Sequence, residues 1–95
     1  MPGRREPLTF APDVVLQVID GDALIVKLSD ETVFSLNATG ARIAELIRAG
    51  GSIEQLVETL TREYAVDQAE VEREVESLVT ALQSRGLVVG SGGTA

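Results

Sequence analysis

The stretch Leu36-Asn37-Ala38-Thr39-Gly40-Ala41-Arg42-Ile43 constrains the fold most, because the apolar period changes across it from 2 to 3.6. Before it, short β-branched segments alternate. After it, apolar residues recur at helical spacing. Asn37 stands at the change, and its side-chain oxygen can accept a hydrogen bond from an orphan amide of a helix's first turn. The chain therefore turns from sheet to helix within one or two residues.

Upstream, Val14-Val15-Leu16-Gln17-Val18-Ile19 reads as a first strand. Asp20-Gly21 supplies the positive φ that a tight hairpin turn needs. Ala23-Leu24-Ile25-Val26-Lys27-Leu28 is a nearly continuous apolar run, as expected of a central strand. Ser29-Asp30-Glu31 is a second turn, and Thr32-Val33-Phe34-Ser35-Leu36 a third strand. Alternation places Phe34 and Leu36 on one face, toward the helices, and Val33 and Ser35 on the other. The expected sheet is a three-stranded antiparallel meander.

Downstream, Ile43, Leu46 and Ile47 stripe a first helix, about Ala38 to Ala49, which Gly50-Gly51 stops. Ser52-Ile53-Glu54-Gln55 has the form of a capping box and opens a second helix to about Tyr64, with Ile53, Leu56, Val57, Leu60 and Tyr64 on one face. Asp67-Gln68-Ala69-Glu70 has the same form and opens the longest helix, to about Arg85. Val71, Val75, Leu78, Val79 and Leu82 line its apolar side, and Gly86 ends it. Leu87-Val88-Val89 must pack somewhere, with the side of the sheet a natural place. The fold class is α+β: a three-stranded antiparallel sheet followed by three helices.

Composition narrows the chemistry. The 95 residues contain no cysteine and no histidine, which removes thiol chemistry, the usual general base and the commonest transition-metal ligand. Carboxylate pairs such as Glu70 and Glu74 lie on the polar sides of helices, where a solvated face is the plain reading. Asp20 and Asp22 flank a glycine, but the other ligands of a calcium loop are missing. No Walker-type phosphate loop occurs. Three aromatic residues, Phe10, Phe34 and Tyr64, do not make a stacking platform for single strands. A net charge of −7 with scattered basic residues argues against a nucleic-acid surface. No catalytic residue, metal site or cofactor is expected. No apolar run reaches the length of a membrane span and no signal peptide is visible, so a soluble cytoplasmic protein is expected. Residues 1–12, with three prolines and Arg4-Arg5, read as a loose arm, 13–89 as the folding unit, and 90–95 as a disordered tail.

The order of these segments carries a family likeness. Phe34-Ser35-Leu36-Asn37-Ala38-Thr39-Gly40-Ala41-Arg42-Ile43, the Gly-Gly break, Ser52-Ile53-Glu54-Gln55-Leu56-Val57, Glu63-Tyr64-Ala65-Val66-Asp67 and the acidic third helix ending Arg85-Gly86-Leu87-Val88 together resemble the PqqD-like family. That family comprises the recognition elements of ribosomally made, modified peptides, including stand-alone proteins of lasso-peptide pathways. The likeness covers about residues 14 to 89, and Leu-Asn-x-Thr-Gly-x-x-Ile is its most specific part. The chain departs from many relatives at Ala44, where they carry tryptophan or another large residue. That leaves either a shallower pocket or a volume filled by Phe34 or Tyr64.

The resemblance implies a winged-helix-like fold and a non-catalytic role. The leader segment of a precursor peptide would add as a strand to the third strand, beside the third helix. The sequence suits this: Thr32 to Leu36 has no proline, glycine or lysine to guard an edge. Val33, Phe34 and Ser35 from the strand, and Val75, Leu78, Val79 and Leu82 from the helix, are the candidate peptide contacts. Glu72, Arg73, Glu74 and Glu76 stand at or beside the expected rim. The implied partners are the precursor peptide and a processing or modifying enzyme. In a lasso-type pathway the enzyme would be a leader peptidase, which is favoured; in a PqqD-type pathway, a radical SAM enzyme. A winged-helix DNA-binding regulator is the alternative from another class. A monomer or weak dimer is expected, with no membrane association.

Overall fold

The structure is a computed structural model and describes residues 6–90. In chain order the elements are β1 (Leu8–Phe10), β2 (Val14–Ile19), β3 (Asp22–Lys27), β4 (Thr32–Leu36), α1 (Ala38–Arg48), α2 (Ile53–Tyr64), α3 (Gln68–Ser84) and β5 (Val88–Gly90).

Two short turns build the meander. Asp20 and Gly21 both have positive φ, 50° and 86°, as a two-residue hairpin of the right twist requires. This fixes the β2–β3 register from Ile19↔Asp22 to Val14↔Lys27. At the second turn the Asp30 carboxylate accepts the Thr32 amide at 3.0 Å and the Thr32 hydroxyl at 2.6 Å. Those bonds hold its pKa below the ordinary carboxylate value. β4 then pairs with β3 from Lys27↔Thr32 to Ala23↔Leu36, and the sheet order is β2-β3-β4.

The sheet has two unlike faces. Ala23, Ile25 and Leu36 are buried, and Leu16 and Phe34 pack against the same core. On the other face Val15, Val26 and Val33 stand in register across all three strands, with Val15 and Val33 exposed.

The Asn37 side chain accepts the Gly40 amide at 2.9 Å, so the corner from sheet to helix is capped as its sequence predicts. α1 ends in a left-handed Gly50 (φ 95°), and the Gly50 and Gly51 amides donate to the Ile47 and Leu46 carbonyls. Gly51 is needed for space: a Cβ there would meet the Leu56 side chain at 2.8 Å. The Ser52–Gln55 capping box forms reciprocally. The expected twin at Asp67 does not form, because the Asp67 side chain makes no cap bond. Its backbone carbonyl takes the amides of both Glu70 and Val71 instead, each at 3.1 Å. That arrangement satisfies the donor a cap side chain would have served.

A correction concerns the expected loose arm. Leu8–Phe10 is a strand, paired antiparallel with β5 from Leu8↔Gly90 to Phe10↔Val88. Leu8 is 2% exposed and belongs to the core cluster together with Leu87 and Val88. The Leu87-Val88-Val89 segment therefore packs through this second ladder and not as a strand of the meander. The folded unit extends to Leu8 at one end and Gly90 at the other. The rest of the expected arm (1–5) and tail (91–95) lies outside the described residues. Ala44 is fully buried on the core side of α1, which also packs on β1.

Candidate functional site

β4 is an edge strand, and its hydrogen-bonding parity can be read from its neighbours. The Leu28 amide donates to Asp13 at the β2 side. Alternation along β3 then turns Lys27, Ile25 and Ala23 toward β4, where they bond Thr32, Phe34 and Leu36. The N–H and C=O groups of Val33 and Ser35 are left pointing out of the free edge. Their side chains are on the solvent face, with Val33 56% exposed. Phe34 and Leu36 point inward.

Beside this edge runs an open groove of about 710 Å³ between β4, α1 and α3. Phe34, Ser35, Leu36 and Asn37 form one wall, Thr39, Gly40 and Ile43 close one end, and Glu70, Arg73, Glu74, Ser77, Leu78 and Ala81 form the other wall. A Cβ at Gly40 would lie 3.1 Å from the Leu36 side chain, tighter than ordinary contact, so glycine lets the start of α1 lie close to the end of β4. The Arg85 guanidinium lies over the Phe34 ring, 5.1 Å from its centroid, a cation–π contact.

α3 thus has two adjacent stripes. Residues 71, 75, 79 and 82 face the core, and residues 70, 73, 74, 77, 78 and 81 face the groove. Of the candidate contacts, Phe34, Ser35 and Leu78 line the groove, and Val33 stands exposed at the edge. Val75 is buried and lines a second cavity behind it. Val79 and Leu82, at 1% and 0% exposed, are core residues and line neither cavity. Their apolar character comes from packing on the other elements. Arg73 and Glu74 stand on the groove as the rim reading has it, whereas Glu72 faces α2 and Glu76 is not on the groove wall. The groove residues outside the candidate set are Leu36, Asn37, Thr39, Gly40, Ile43, Glu70, Ser77 and Ala81, most of them small or polar. The available signal was the pair Ser77 and Ala81, one helical turn apart, which leaves room for another chain.

The second cavity, about 310 Å³, sits where α1, the end of α2 and the start of α3 meet. Thr39, Ile43, Leu60, Tyr64, Val66, Glu70, Val71, Glu74 and Val75 line it. Nearby, Arg42 on α1 makes a two-pronged ion pair with Glu63 on α2, at 3.0 and 2.6 Å. The bonds from Arg42 hold the Glu63 carboxyl below its ordinary pKa. Among the described residues no group of His, Cys, Asp and Glu could hold a metal ion. No helix among the described residues is long and apolar enough to cross a membrane.

A sequence profile of the family described as "Coenzyme PQQ synthesis protein D (PqqD)" matches residues 24–88, from the central strand to β5. The chain belongs to the PqqD family. Two solved structures share the architecture of this PqqD-family chain. "TbiB1 in Complex with the TbiA(beta) Leader Peptide" is 32% identical, covering 92% of this chain and 98% of that one, with a TM-score of 0.80. "Lasso peptide synthetase B1 complexed with the leader peptide" is 26% identical, covering 86% and 96%, with a TM-score of 0.77. A search of curated proteins finds no match.

Proposed function

We propose that this PqqD-family chain is a non-catalytic leader-peptide-binding protein of a lasso-type pathway. It captures a ribosomally made precursor by strand addition at β4 and presents it to a processing enzyme. The observation that carries this reading is the free N–H and C=O of Val33 and Ser35 standing beside an open groove. An extended peptide satisfies those groups and sends alternate side chains into the groove, where Phe34, Leu36 and Leu78 offer apolar contact. Two relatives of the same fold are described in complexes with leader peptides, which supports the same ligand class here. Binding would raise the peptide's effective concentration at a partner enzyme. A leader peptidase is the favoured partner. A radical SAM enzyme is the second reading. A DNA-binding role is disfavoured, because α3 presents Glu70 and Glu74 where a recognition helix needs cationic or amide groups.

The test is a fluorescence-polarisation titration with labelled synthetic leaders from precursor genes adjacent to this chain's own, with a scrambled leader as control. One leader should bind saturably. Val33→Pro removes an outward amide and no bond to β3, so the variant should keep its circular dichroism spectrum and lose about tenfold or more in affinity, the equivalent of one or two edge hydrogen bonds. A folded parent that binds no leader, or a folded Val33→Pro that binds as well as the parent, would refute strand addition. Stimulation of leader cleavage or of radical modification by the added protein separates the two partners.

A further inference from the structure

We infer that the cavity at the junction of α1, α2 and α3 receives one basic side chain of the bound peptide. Its aliphatic stem would lie against Ile43, Tyr64 and Val66, and its charged end against Glu70 and Glu74. This rests on the groove being the peptide site, and it adds a determinant of which peptides are accepted.

The cavity is continuous with the groove: Thr39, Ile43, Glu70 and Glu74 line both. A chain paired to β4 that runs on past Leu36 meets its mouth. The floor is apolar and buried, made by Ile43, Leu60, Val71 and Val75. Its outer wall is apolar and uncovered, with Tyr64 45% and Val66 43% exposed. Between them Ala65 is held at a φ of 52°, a left-handed conformation rare for a residue with a Cβ. The turn that sets both wall residues is thus kept despite its strain.

Two carboxylates complete the mouth. Glu70 and Glu74 are one helical turn apart on one face of α3, and among the described residues neither has an ion-pair or side-chain hydrogen-bond partner. Glu63, next to Tyr64, differs in being occupied by Arg42. The helix dipole accounts for an acidic residue in the first turn, which covers Glu70, but it does not account for Glu74. Both residues are exposed at the mouth, where a cationic end gains two carboxylates while an apolar occupant gains nothing from them. Lysine and arginine match the site better, because they bury a hydrocarbon stem and keep a cation at its end. Arg73 stands on the groove wall between Glu70 and Glu74 but does not line the cavity, where the two carboxylates are the only charged lining groups.

The experiment uses the full chain and the leader that binds it best. Each lysine or arginine of that leader is replaced in turn by methionine, which keeps the stem and removes the charge. Each peptide is titrated against the parent and against the Glu70→Gln/Glu74→Gln double variant; glutamine suits a helix, so the variant should fold. The double variant should bind the unmodified leader about 3- to 10-fold more weakly, the range expected of partly exposed charge pairs. One methionine-substituted leader should bind parent and variant equally. Equal binding of the unmodified leader by parent and variant would overturn the proposal while leaving strand addition intact. So would an equal loss across every peptide, or a coupling of Tyr64→Ala to an aromatic leader residue without any effect of the glutamines. Failure of strand addition shows elsewhere, as the absence of leader binding by the parent, and it removes this proposal too.

Discussion

Val33 and Phe34 are adjacent and serve opposite sides of the sheet. Val33 offers its backbone to the free edge, and Phe34 sends its ring under Arg85 into the groove. This division was legible from alternation alone. What was not legible was which apolar residues of α3 stay within reach. Val79 and Leu82 look like contacts in sequence because a groove and a core both favour aliphatic side chains. Only the positions of the neighbouring elements separate Leu78 from Val79. At the same scale, the Arg42–Glu63 pair ties α1 to the end of α2. The pKa of Glu63 is lowered from 4.5, so its contribution to stability is complete above that value and is lost as pH falls through the lowered one. Asp13, which accepts the Ser29 amide, and Asp30 act in the same direction. We expect the urea midpoint to fall on acidification below about pH 4.5. Arg42→Gln should lower the midpoint at neutral pH and converge with the parent in acid. A constant gap across the titration would show that Arg42 acts through packing instead.

Among the elements, α2 carries the most informative departure from local preference. Its left-handed cap position is usually glycine and here is Ala65. Ala65→Gly should raise unfolding stability by about 1 kcal/mol, set by the left-handed penalty less the added freedom of the unfolded chain. Urea denaturation checks this, and a midpoint at or below the parent's would show that the turn is unstrained. Helix and meander boundaries were readable to within a residue or so because Asn37, Gly50, Ser52 and Gly86 act locally. β1 was not readable. Leu8-Thr9-Phe10 is three residues long, follows prolines and charges, and pairs with the far end of the chain, so no nearby residue announces it. The missing cap at Asp67 has a related cause, since its spacing fits a capping box but the backbone satisfies the first turn without the side chain.

For the molecule as a whole, the β1–β5 ladder ties the two ends of the described chain onto the core that the meander and helices share. Leu8 is buried in the core with Leu87 and Val88. Deleting residues 1–10 should lower stability by at least about 2 kcal/mol, the value of burying one leucine, before the lost ladder bonds are counted. Faster hydrogen exchange at the Val89 amide, which faces Thr9 in the ladder, should accompany it. Unchanged stability would mean that the ladder only decorates the fold. The groove beside β4 has no β1 or β5 residue in its lining, so on the proposed function leader affinity and stability should separate in this variant. The ladder also has a consequence for genetic architecture. Because Leu8 stands opposite Gly90, the polypeptide enters and leaves the domain side by side, about 5 Å apart at the Cα atoms. A unit with such neighbouring ends can be spliced into a surface loop of a larger enzyme without stretching the host. It can also be cut at the Asp20-Gly21 turn and resealed with a short linker.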